Sequence, residues 1–290
     1  MKKNITKAII LTLLCAAAWL TTSCIFYPET GKTKKKPKPN PNPGNSIPQK
    51  EGMQLVWSDE FNYNGALDTT KWKYEYGGGG WGNGELQNYV GDGTTAFVSD
   101  GALTLKAYHN GSQWRSARIN SKQSWTYGFM EASIKVTDKK GAWPAFWMMP
   151  KNSSYGIWPK SGEIDIMENA PAHNAFGPHC VFSTLHAQGH HGGGGKEIGR
   201  KTYPQDLFND WHTFAVKWDA DKIVAYYDGQ IMDTYLKNGA NWVDWPYDKD
   251  FYIILNLAIG GSLGGNAAAM ELRGKDVRLL VDYVRVYQKR

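Results

Sequence analysis

Cysteine is scarce in this chain: three residues, Cys15, Cys24 and Cys180, in 290. That excludes a disulfide framework. No apolar run reaches the length needed to cross a bilayer as a helix, and no segment sustains a 3.6-residue apolar period, so a helical bundle and a repeated strand–helix architecture are both excluded. Basic charge is also missing where a nucleic-acid surface would need it. The formal net charge of +6 comprises +3 from three early lysines and +5 from residues 25–50, which leaves about −2 on residues 51–290. The basicity therefore belongs to the leader and spacer, and a nucleic-acid partner is not expected.

The N-terminus carries Lys2, Lys3 and Lys7 before the apolar stretch Ala8–Leu20, a pattern that reads as a signal peptide over residues 1–23. It ends at "LTTSC", which resembles the processing site of a bacterial lipoprotein, with Cys24 as the acylated residue. Residues 24–50 are rich in Lys, Pro and Asn and read as an extended spacer that holds the following domain away from an outer membrane, facing the surface or the periplasm. Cys180 would then be the lone thiol of the mature domain, and nothing around it suggests a nucleophile.

Residues 51–290 read as all-β. Runs such as "ALTLKAY", "GFMEASIKV", "HTFAVKWD", "FYIILNLAIG" and "VRLLVDYVRVY" are separated by Gly, Asn, Asp and Pro clusters, the pattern of a two-sheet antiparallel sandwich with a concave face. "AAAMELRG" allows at most a turn or two of helix. The expected state is a monomer.

One run carries the chemistry. In "SGEIDIMEN" acids alternate with aliphatics, so Glu163 and Asp165 share a face while Ile164 and Ile166 take the other. Glu168 falls out of phase. One extra residue absorbed as a β-bulge near Ile166–Met167 returns Glu168 to the face of the other acids. Three neighbouring carboxyls cannot all ionise cheaply, so their environments divide them into a proton donor and a nucleophile, as in a retaining glycosidase. Acids alternating with aliphatics also describe an ordinary solvated strand, and the aromatic content decides between the two.

Of 13 tryptophans, Trp81, Trp114, Trp125, Trp143 and Trp158 lie among Gly and polar residues that look like loops, whereas Trp57, Trp72, Trp211 and Trp218 lie in or beside strand-like runs and are expected in the core. Flat apolar faces with polar edges suit the C–H-rich faces of sugar rings. Trp143 and Trp158, close in sequence to the acidic strand or its neighbour, are expected in the groove. A neutral polysaccharide is the natural ligand. In the Gly-rich stretch Ala187–Arg200, expected as a mobile loop, His190 and His191 lack the neighbours of a metal site.

"WSDEFN", "WGNGELQNY", "RINSKQSWTYGFMEASIKV", "GAWPAFWMMP", "WPKSGEIDIMEN", "STLH", "NLAIGG" and "VDYVRVYQ" resemble, in order, the motifs of glycoside hydrolase family 16 across residues 54–288. The resemblance implies a jelly-roll that hydrolyses internal β-linkages of glucans with retention. It implies Glu163 as nucleophile, Asp165 as its electrostatic partner and Glu168 as acid/base. Trp158 and Trp143 would form sugar platforms, and Asn83, Glu85, Arg118 and His186 would bind sugar hydroxyls. It also implies a structural Ca²⁺ at Glu60, Gly101 and Asp282, and catalysis without a cofactor. Gly84 departs from the Asn common at that position. A non-catalytic glucan binder and a galactanase are the alternatives. The paired glutamates weigh against the first, and the few basic residues near the acids weigh against a sulfated galactan.

Overall fold

The computed structural model describes residues 47–290 apart from 174–176, 193–197, 203, 238 and 240. The signal peptide, Cys24 and most of the proposed spacer lie outside the described residues. In chain order the strands are β1 (Met53–Asp59), β2 (Gly65–Ala66), β3 (Trp72–Tyr74), β4 (Gln87–Tyr89), β5 (Ala96–Ser99), β6 (Ala102–His109), β7 (Trp114–Ser116), β8 (Arg118–Trp125), β9 (Gly128–Lys135), β10 (Ala142–Pro150), β11 (Glu163–Asn169), β12 (Val181–His186), β13 (Ile198–Thr202), β14 (His212–Trp218), β15 (Lys222–Tyr227), β16 (Gln230–Leu236), β17 (Phe251–Ile259) and β18 (Val277–Lys289). Two short helices, α1 (Gly261–Gly264) and α2 (Asn266–Met270), interrupt the pattern, the second overlapping the start of the stretch given at most a turn or two of helix.

Two sheets form. The site-bearing sheet runs β13-β12-β11-β10-β17-β8-β3, and the outer sheet runs β16-β15-β14-β9-β18-β6-β5-β2 with β1 added beside β18. Apart from the short parallel pair β4/β7, the paired strands are antiparallel. Alternation explains the layering: Phe146 and Met148 of β10, Ile253, Leu255 and Leu257 of β17, and Val281, Val284 and Val286 of β18 all enter one core. The opposite face of the first sheet therefore receives its remaining side chains.

The aromatic assignments divide. Trp72 and Trp218 are buried, their indole nitrogens donating to Asp59 Oδ2 (2.9 Å) and to the Tyr247 carbonyl (2.9 Å). Trp57 packs against the core beside Trp72 and Trp125. Trp114 and Trp125, expected in loops, are core residues, because cross-strand pairing rather than their polar neighbours in sequence decides where they point. Trp211 is half-buried, and the buried residue next to it is His212. Cys180 is buried against Ala170 and Phe182. At the other margin, Lys50, assigned to the spacer, pairs with Glu131 (3.0 Å) and lies over Phe129, and the Pro48 carbonyl accepts from Tyr287 Oη (3.1 Å).

Candidate active site

The bulge sits on β11 where the alternation breaks. Against β10, Ala145 faces Glu168, Phe146 faces Met167 and Trp147 faces Asp165, so Ile166 is the extra residue. Against β12, Glu163, Asp165 and Glu168 face His186, Thr184 and Phe182, which leaves Ile166 and Met167 together opposite Ser183. Both extra aliphatics are fully buried. The Ser183 hydroxyl donates to the Asp165 carbonyl (2.7 Å) and satisfies backbone that the bulge takes out of the ladder. Directly opposed residues share a face, so the three acids lie on the face that carries Trp147, Thr184 and His186.

An indole holds each glutamate. Trp158 Nε1 donates to Glu163 Oε2 (2.5 Å), and Trp143 Nε1 donates to Glu168 Oε1 (2.9 Å). The two tryptophans otherwise differ. Trp158 is 46% exposed and presents a flat face to solvent, whereas Trp143 is buried to 9% and its ring lies against Gly261. Trp143 is thus a brace for Glu168 rather than an open platform. A side chain at Gly261, where φ is +75°, would meet Glu85 and the Asn83 carbonyl at 3.1 Å, so glycine keeps this corner open.

Burial sets the charge state. Glu163 is pushed up to about 8, first by loss of solvent and then by the charge of Asp165, against the pull of His186 and the Trp158 N–H. Asp165 is lifted well above the usual carboxylate range by burial and by Glu168. His186 Nε2 lies 3.0 Å from Asp165 Oδ2, an oxygen with no well-aligned hydrogen bond. Both members of this pair are raised, so the two carboxyls hold a proton between them to unusually high pH, and the Trp158 N–H and His186 favour the state in which Glu163 carries the charge.

Further along the face, Glu85 accepts from Gln87 Nε2 (2.6 Å) and Asn83 Nδ2 (3.2 Å), with Tyr89 Oη at 3.4 Å. Burial raises Glu85 against these donors. Arg118 is sandwiched between Trp81 and Trp147, 4.8 and 4.6 Å from the ring centres, and ion-pairs with Glu75. Gly84, at φ +69°, turns the chain between Asn83 and Glu85.

Four residues of this face escaped the sequence reading: Glu75, Trp147, Tyr252 and Asn256. Asn256 accepts from Trp147 Nε1 (2.7 Å) and donates to Tyr89 Oη (3.1 Å). A signal existed for two of them. Trp147 is in phase with Trp143, and Asn256 is a lone amide in an apolar strand. Of the proposed calcium ligands, Glu60 has both carboxylate oxygens on Arg285 (3.0 and 2.6 Å), Gly101 lies in the β5–β6 turn at φ +76°, and Asp282 is pushed up to about 6, mainly by burial. His190 is buried, and His191 packs edge-on to Trp158 at 5.6 Å.

A row of neighbouring carboxyls with raised affinity for protons, beside an exposed indole, is an arrangement suited to cleaving carbohydrate. Residues 83–276 match the family model for glycosyl hydrolases family 16, and the chain belongs to that family. It is 38% identical to a beta-glucanase from Rhodothermus marinus over 81% of this chain and 85% of the relative. It is also 38% identical to a glucan endo-1,3-beta-glucosidase from Cryptopygus antarcticus, over 73% and 82%. The fold matches the crystal structure of SCLam, a non-specific endo-beta-1,3(4)-glucanase, with a TM-score of 0.74 and 33% identity, covering 85% of this chain and 95% of that one.

Proposed function

We infer that this chain is a retaining endo-β-1,3(4)-glucanase that cleaves internal linkages of laminarin-type or mixed-linkage glucans. The observation that carries the reading is the bulge that sets Glu163, Asp165 and Glu168 on one face, with Trp158 beside the first. In the first step the Glu163 carboxylate attacks the anomeric carbon, and the glycosidic C–O bond breaks as Glu168 protonates the leaving oxygen. In the second step Glu168 takes a proton from water, the water oxygen bonds to the anomeric carbon, and Glu163 is released. Asp165 holds the proton between the two steps' charges and limits repulsion along the row. Trp158 would stack beneath the sugar at the cleaved bond, and Arg118, Glu85, Asn83 and His186 would bind hydroxyls along the face.

The test is product analysis on laminarin, lichenan and barley glucan, with proton NMR of the first sugar released. Internal cleavage giving the β-anomer first supports the reading. Release of the α-anomer first, or no cleavage of any of the three, overturns it.

Glu60, Asp282 and the Gly101 carbonyl would offer only oxygen donors, the type that suits Ca²⁺, with Arg285 already on both Glu60 oxygens, and the charge of Glu60 adds to the lift that burial gives Asp282. Arg285 already balances Glu60, so the ion's role would be to stabilise the outer sheet, and a chelator would lower Tm without changing the initial rate. The mature protein would be a monomer anchored in an outer membrane through lipid on Cys24. Replacing Cys24 with Ala would move it to the soluble fraction.

A further inference from the structure

The turn after β12 is tighter than its glycine content suggests. Ala187 and His190 exchange backbone hydrogen bonds, Ala187 N–H to the His190 carbonyl (2.7 Å) and His190 N–H to the Ala187 carbonyl (3.1 Å). The His190 ring is 8% exposed, and each of its nitrogens faces a backbone carbonyl: Nδ1 that of Leu185 at 3.2 Å and Nε2 that of Asp244 at 3.0 Å. Carbonyls only accept, so the ring ties β12 to the Asn241–Trp245 turn from both sides when both nitrogens carry hydrogen. Gly189 N–H adds a bond to the Val243 carbonyl (2.8 Å), and the Asp244 carboxylate packs so closely on Gly189 that a side chain there would meet it at 2.0 Å.

The consequence reaches the acids. At the end of the turn, Gly192 N–H points at His186 Nδ1 (3.3 Å). A nitrogen that accepts from an N–H has no hydrogen of its own, so the neutral His186 ring must carry its hydrogen on Nε2, the atom 3.0 Å from Asp165 Oδ2. The opposite tautomer would set an N–H against the Gly192 N–H.

We propose that His190 is a positioning residue that fixes the turn Ala187–Gly192, so that the Gly192 amide holds His186 in the Nε2–H tautomer facing Asp165 and Glu163. The proposal rests on the reading of these acids as the active site for its effect on rate, but the tautomer itself does not depend on that reading. The groups facing His186 are Glu163 and Asp165 from β11 and the ring of Trp158, which His191 packs on in turn, and Tyr247 Oη holds the His186 backbone carbonyl (2.9 Å).

The experiment is ¹⁵N NMR of histidine-labelled full-length protein, with His186 assigned through a His186→Gln variant. The wild type should show His186 with a protonated-type Nε2 and an unprotonated-type Nδ1. In His190→Phe the two nitrogens should move toward an averaged pair, and kcat on laminarin should fall by roughly tenfold with KM changed less than about twofold, the mark of lost alignment rather than lost binding. His190→Gln, whose amide keeps a donor, should restore part of the rate. A wild-type His186 protonated on Nδ1 overturns the proposal, and it does so even if His190→Phe fails to fold. A His190→Phe protein with unchanged His186 signals and unchanged kcat also overturns it. Absence of glucan cleavage with the Nε2–H signature intact would instead refute the functional reading and leave the turn's role standing.

Discussion

Two acids on the outer-sheet side, Glu60 and Glu131, and two acids of β11, Glu163 and Asp165, are treated in opposite ways. Glu60 has both oxygens on Arg285, and Glu131 of β9 accepts from Lys50 Nζ and Tyr283 Oη. Glu163 and Asp165, on the other sheet, face each other and a histidine, and among the described residues neither makes a Lys or Arg ion pair. Cations neutralise the first two, while the second two are left to share a proton beside the bulge. Strongly shifted groups gathered on an open face mark a functional site, and the contrast within one sandwich makes that inference firmer than either region would alone.

The largest expected break in this contrast is chemical. Glu163→Gln should lower kcat/KM on β-glucan by roughly 10³-fold or more while oligosaccharide affinity, read by calorimetry, stays within a few-fold. Substantial residual turnover would remove Glu163 from the nucleophile's role. Deleting Met167 should be nearly as severe, since one residue fewer returns Glu168 to the core side. An isosteric Met167→Leu should cost less than about 1.5 kcal/mol of stability and keep activity, because the site asks only for apolar volume. An active deletion variant would show that the bulge is dispensable.

A smaller effect separates the sheets by pH. The Glu163–Asp165 pair in the folded protein keeps a shared proton far above the usual carboxylate range, with Glu163 pushed up to about 8, whereas an unfolded glutamate releases its proton near the ordinary 4.5. The folded state therefore binds the extra proton across that window, and stability present below it is lost as pH rises through about 8. Denaturant titrations of Glu163→Gln should show a flatter pH dependence than wild type between these limits and a gain at the alkaline end. Equal slopes would contradict the shared proton. The smallest effect belongs to the outer sheet: Glu131→Gln should cost about 1 kcal/mol and leave kcat/KM unchanged.

Much of this was legible because strand geometry has a strict period of two. The acids of β11 and the break at Ile166–Met167 could be read from seven letters, since a one-residue slip reverses a whole face. Trp114 and Trp125 were misread because local composition reports loops well and cross-strand partners not at all. Both sit in polar sequence, yet pairing turns them inward. Trp143 was expected as an open platform, but the fold buries it against Gly261, more than a hundred residues away, and turns its N–H to Glu168, neither of which its neighbours in sequence report. Glu75 and Tyr252 gave no signal, because only the register of β3 and β17 against β8 brings them near Arg118.

The most direct measurement is peptide mass spectrometry after incubation with an activated 2-deoxy-2-fluoro-β-glucoside of laminaribiose, which slows release of a covalent sugar. The label should appear on the peptide containing Glu163 and, on fragmentation, at Glu163 itself. A label at Asp165 or Glu168, or a protein that hydrolyses the reagent without ever carrying the sugar, would contradict the assignment of the three acids.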